Sequence, residues 1–147
     1  MFNLFEYLEP IQPTVAGIEK IYRVSSLVKL EEVLSDLRSN PVCCLVVRDS
    51  GDGFLNLKNR RLDTAYHMFY LMVRATDINS SAARLLAKRQ AMATAIKLLD
   101  RMKQDAGEFG DPLHGFNDNR IDYSEIGPIG RNYFGYSFSF LIEQGFN

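Results

Sequence analysis

Apolar positions along this chain recur with two different periods, and the changes of period mark out its elements. In SSLVKLEEVLSDLRSNP, Leu27, Leu30, Val33, Leu34 and Leu37 fall on one stripe of a 3.6-residue helix. Ser25 or Ser26 can cap its start, and Asn40-Pro41 stops it. The run VCCLVVRD (residues 42–49) is short, continuously apolar and rich in β-branched residues, which predicts a buried strand. SGDG (residues 50–53) supplies turn chemistry, and Leu55 and Leu57 suggest a ragged edge strand before a basic loop at Lys58, Asn59, Arg60 and Arg61. A long helix is predicted in SSAARLLAKRQAMATAIKLLDRMKQDAG, capped by Asn79, Ser80 or Ser81. Leu85, Met92, Ile96 and Leu99 form its expected buried stripe, and Gly107 lies just past its end.

Ahead of these elements, Phe2, Phe5 and Leu8 recur at helical spacing, but Pro10 and Pro13 interrupt the segment. It is too short for an independent helix. Residues 1–24 therefore read as an N-terminal arm that docks on the body or on a neighbouring subunit, and residues 25–147 as one domain. The chain's 147 residues are enough for a single core.

Two segments break the simple rules. In AYHMFYLMVRAT (residues 65–76), one face carries His67, Phe69, Leu71, Val73 and Ala75. The other carries Tyr66, Met68, Tyr70, Met72 and Arg74. A strand with one wet face should alternate apolar and polar residues, so something must cover this second face as well. The last segments, RIDYSEI and NYFGYSFSFLIEQ, flank Gly127-Pro128-Ile129-Gly130 as a hairpin. The order α-β-(β)-β-α-β-β, without regular βαβ alternation, predicts an α+β fold. Its expected form is two-layer, with a largely antiparallel sheet and two helices packed on one face.

The aromatic cluster of the last strand resembles a base-stacking platform only in number. Aligned on the RNA-recognition consensus, Phe134-Gly135-Tyr136 matches the aromatic-Gly-aromatic centre, but Asn132, Tyr133, Ser137 and Ser139 depart from it. Phase decides against stacking. Phe134, Tyr136, Phe138, Phe140 and Ile142 all share one face, whereas Gly135, Ser137 and Ser139 line the other. The aromatic face belongs in the core, and the small-residue face leaves a shallow groove for close approach. Tyr66, Met68, Tyr70, Met72, Gly135, Ser137 and Ser139 are therefore candidates for a subunit interface, large anchors beside small residues. The alternative cover for that face is the chain's own N-terminal arm.

Composition narrows the chemistry. A net charge of −1 gives no general attraction to nucleic acid or anionic lipid. The charge is uneven, however: residues 80–106 are basic and residues 107–147 acidic. Such segments can meet within one fold or between identical subunits. Cys43 and Cys44 are adjacent and point to opposite faces of a strand, which argues against a disulfide and for a reducing compartment. The N-terminus has no signal-peptide pattern, and no apolar run approaches ~20 residues, so a cytoplasmic protein without a membrane span is expected.

Catalytic signatures are weak. His67 lies mid-strand and His114 in a long loop rich in Gly, Asp and Asn. The cysteines sit in an apolar strand, and Asp111, Asp118, Asp122 and Glu125 fit no EF-hand spacing. SGDG lacks the lysine and length of a P-loop. No enzyme, cofactor or metal is expected. Arg60, Arg61, Phe109, His114 and Phe116 remain candidate partner contacts, because loops of a dozen residues are usually functional or mobile.

The element order, closing in IDYSEIG…YFGYSFSFLIE, resembles the tail-terminator or tail-completion (neck) proteins of long-tailed bacteriophages, including prophage-encoded forms. The resemblance spans about residues 27–143. It implies a non-enzymatic structural protein forming a ring, commonly a hexamer. Such a ring caps the tail tube and joins it to the head, with tail-tube and head-completion proteins as partners. The protein would then pass from the host cytoplasm into the virion tail. The second sheet face and the 107–119 loop would mediate assembly. The alternative is a small intracellular binding module with a basic helix, either a ferredoxin-like adaptor or a nucleic-acid binder using Arg60, Arg61 and the helix cations, although nucleic acid is not the expected partner.

Overall fold

The computed structural model describes residues 2–36, 41–48, 52–57, 62–107, 113 and 115–145. Among these, three helices and six strands form an α+β domain around one sheet. Helix α1 spans Leu4–Ile11, strand β1 Lys20–Val24, helix α2 Leu27–Ser35 and strand β2 Cys43–Arg48. Strands β3 (Gly53–Asn56) and β4 (Leu62–Arg74) follow, then helix α3 (Ser81–Ala106) and the hairpin β5 (Asp122–Ile129) and β6 (Tyr133–Gly145). Each helix opens on a side-chain cap: Asn3 accepts from the Glu6 amide, Ser26 from Lys29 and Ser80 from Ala83.

The sheet order is β1-β2-β4-β6-β5. Strand β3 pairs with the start of β4, on the edge that β2 uses further along. All pairs are antiparallel except β1–β2. Strand β1 lies in the segment read as an arm, so a boundary at residue 24 would cut the sheet. The arm's apolar spacing forms a real helix because the core supplies the burial it lacks alone. Leu4, Leu8 and Ile11 are buried, the Tyr7 hydroxyl donates to the Asp105 carboxylate of α3, and the Arg23 guanidinium lies 4.7 Å above the Phe5 ring.

The helices divide between the two sheet faces. Helices α1 and α3 cover the face formed by Cys43, Leu45, Val47, Phe69, Leu71, Val73, Phe134, Phe138, Phe140 and Ile142. Helix α2 packs on the other face, where Leu30 and Leu34 meet Cys44, Val46, Tyr70, Met72 and Tyr133. Two helices do share a face, but they are α1 and α3, not the α2 and α3 expected from the sequence. The physical reason is topological. β1-α2-β2 is a parallel crossover, and β4-α3-β5 is a second one that skips β6. Both step the same way across the sheet, yet their strands run in opposite directions. Parallel crossovers are almost always right-handed, and that rule puts these two helices on opposite faces.

Helix α3 also departs from its expected stripe. Its buried positions are Ala87, Ala91, Thr94, Ala95, Leu98 and Met102, whereas Leu85 and Ile96 are exposed and Met92 and Leu99 half-buried. The sheet face below already holds large rings, with Phe69 and Phe138 stacked at 5.3 Å and Phe116 tilted against Phe140 at 5.2 Å. Interior volume is filled once, and the opposing helix offers small side chains along most of its buried face, with Leu98 and Met102 towards its end.

Candidate assembly surfaces

The β4–β6 register pairs Met68 with Ser139, Tyr70 with Ser137 and Met72 with Gly135. These residues and Tyr66 therefore lie on one face of the sheet, opposite the phenylalanine core. Helix α2 divides that face. At its β6-start end, Tyr70 is 5% exposed, and Met72 and Gly135 are buried. Towards the other end, Tyr66 is 49% exposed, and Met68, Ser137 and Ser139 are half-buried. Leu141, opposite Tyr66, and exposed Phe54, opposite Thr64, extend the open half. The adjoining edge strand β3 and its flank also expose Leu55 and Leu57.

Gly135 has a local role that the groove reading overlooks. A Cβ there would overlap the Leu71 carbonyl oxygen and crowd the Met72 backbone, so the glycine permits close approach of β4 and β6. Gly130, at φ +59, lets the hairpin turn press against Leu34 of α2, where the Arg131 amide donates to the Leu34 carbonyl.

A second uncovered apolar surface lies on the outside of α3. Leu85 is 47% exposed, Leu86 66% and Ile96 50%, flanked by half-buried Met92 and Leu99. This is the stripe that sequence periodicity picked out. Its Met92 and Leu99 pack on the margin of the core, while Leu85 and Ile96 stay exposed.

The remaining candidates separate clearly. Phe116 is buried and bridges to Ile142, so it belongs to the core instead of forming a partner contact. Arg60, Arg61, Phe109 and His114 lie outside the described residues. His67 packs among rings on the core face, edge-on to Phe2 and stacked with Phe140. The charge asymmetry is partly satisfied within the chain: Lys88 pairs with Glu125, and Lys103 lies 3.8 Å from Asp118. Arg101 bonds to Asp105 one turn on. These contacts leave Arg89 and Lys97 as exposed α3 cations without an ion pair among the described residues.

Burial pushes the Cys43 thiol up to about 12, with Glu19 adding to it, and raises Cys44 further for the same first reason. Neither is a poised nucleophile. Among the described residues, no group of three or more His, Cys, Asp or Glu could hold a metal, and no helix is long and apolar enough to cross a membrane. The rings of Phe134, Phe138 and Phe140 are buried beneath α1 and α3, so they offer no stacking platform. No protein-family model matches the chain, and no curated protein matches its sequence.

Proposed function

We propose that this chain is a structural, self-assembling protein of the phage tail-terminator type, in which copies join head to tail into a ring. One observation carries the reading: two uncovered apolar surfaces lie on opposite sides of the sheet. An isologous dimer would cover one and leave the other bare. A heterologous contact, with the α3 stripe of one copy on the open sheet face of the next, covers both and propagates around a ring.

Layer logic favours this pairing. A half-empty sheet face is completed by a helix with an apolar stripe, the arrangement that already builds the other side of this domain. Residual charges match as well. Exposed Arg89 and Lys97 flank the helix stripe, while exposed Glu143 borders the sheet face. The ring, the tail-tube end and the head-completion partner come from the family resemblance.

Sedimentation of two variants tests the contact. Tyr66→Arg disables the sheet surface and Ile96→Arg the helix surface, so each alone sediments as a monomer. Mixed, they form a one-to-one dimer, because each retains the surface that the other has lost. A mixture that stays monomeric, or a parent protein monomeric at high concentration and low salt, overturns the proposal.

A further inference from the structure

At the end of the sheet remote from Tyr66, a cleft of about 410 Å³ opens where β4 ends and β6 begins. Val42, Arg74, Ala75, Thr76, Arg131 and Asn132 line it. We infer that this cleft binds a phosphate group, held between the Arg74 and Arg131 guanidiniums with Thr76 and Asn132 as neutral donors.

The first reason is charge. Two arginines line one cleft, no acidic residue is among its lining residues, and neither arginine has an ion-pair partner among the described residues; the adjacent Glu19 carboxylate is taken up by the Val42 amide. Among the described residues, some cations elsewhere find carboxylates, such as Lys29 with Glu32 and Lys88 with Glu125, and others such as Arg89 and Lys97 do not; what distinguishes the cleft is that two unpaired arginines share it. Two like charges facing one cavity repel unless an anion lies between them.

The second reason is positioning. Arg74 is half-buried at the end of β4, and its backbone is clamped on both sides, its amide donating to Val42 and its ladder partner being Tyr133. Tyr133 is itself fixed by a hydroxyl bond to the Pro41 carbonyl. Arg131 is presented by a tight turn in which Gly130 and Asn132 both have positive φ, 59° and 65°. Glycine and asparagine are the residues that adopt this region readily, and the turn they build fixes where Arg131 leaves the backbone. The turn is bound on each side, by Arg131 to Leu34 and by the Asn132 carbonyl to Ala75.

The third reason is donor count. The amides of Arg74, Ala75 and Arg131 are already used within the protein, so side chains must do the binding. Guanidinium forks, a hydroxyl and a carboxamide offer more donors than the two oxygens of a carboxylate can accept, and they suit a tetrahedral phosphate. The cleft is also larger than one phosphate needs. Its volume lies within the usual range for small-molecule sites, so a phosphomonoester fits as well as the free ion.

Titration of the full chain with inorganic phosphate, followed by amide chemical shifts at constant ionic strength, tests the inference. Saturable shifts are expected at Ala75, Thr76, Arg131 and Asn132, with at least a tenfold weaker response in Arg131→Gln. That arginine is exposed, so its loss spares the fold, and Arg74→Gln gives the second arm. A nucleoside monophosphate in place of phosphate separates the sources: tighter binding identifies an ester, equal binding the free anion. Chloride or acetate giving the same shifts as phosphate, or Arg131→Gln leaving the phosphate response unchanged, overturns the assignment.

Discussion

Replacing Gly135 with alanine separates two roles for the small residues of β6. The added methyl would overlap the Leu71 carbonyl oxygen and press on the Met72 Cα. Relief requires β4 and β6 to move apart from their usual spacing of ~4.8 Å. That loosens the ladder bonds beside the Met72–Gly135 pair, about 1 kcal/mol each. It also strains a site where Leu71 and Met72 are fully buried, an overpacking cost of about 1–3 kcal/mol. With two such bonds loosened, Gly135→Ala should cost about 3–5 kcal/mol, or on the order of 10 °C in melting temperature for a chain of this size. Urea denaturation in a Tyr66→Arg background removes any contribution from association. A stability within ~0.5 kcal/mol of that background, combined with weaker self-association of the otherwise unaltered chain, would refute the strand-contact reading. Gly135 would then serve a partner.

Two further outcomes follow from the core. Leu8→Ala, at a fully buried position of α1, should cost about 2–5 kcal/mol in urea melts; a negligible loss would mean that α1 is only loosely attached. Cys43 has its pKa raised from 9.0 to about 12 by burial and then by Glu19, so between those values the unfolded chain has released a proton that the folded chain keeps. Its contribution is fully present below pH 9 and declines towards pH 12, at up to about 1.4 kcal/mol per pH unit. Melts at pH 8 to 11 should show that decline flattened in Cys43→Ala, and an identical slope in both proteins would contradict it.

Local pattern in the sequence determined much of this domain. Leu30 and Leu34 are on the buried side of α2, and the apolar run at Cys43–Arg48 is a strand buried on both faces. The phase of β6 put Phe134, Phe138 and Phe140 in the core and Gly135, Ser137 and Ser139 behind them. Pairing of β4 with β6 then placed Tyr66, Met68, Tyr70 and Met72 on that same second face. These features depend on side-chain alternation and helical spacing, which are properties of the chain itself.

Tertiary structure decided which surfaces remain uncovered. Strand β1, KIYRV, has no clean alternation and becomes a strand through its parallel pairing with β2. Without β1 in view, α2 cannot be recognised as a crossover, and nothing in its own residues sends it to the face opposite α3. Its placement buries Tyr70, Met72 and Gly135 while leaving Tyr66 and Met68 accessible. Helix α3 shows the same limit. Periodicity marked an apolar stripe at Leu85, Met92, Ile96 and Leu99, but the face of α3 turned to the sheet is a different one, with Ala87, Ala91 and Ala95 beside Leu98 and Met102. Sequence pattern marks which side chains avoid water. Which of them another part of the chain reaches first depends on volume already occupied and on the handedness of the connections.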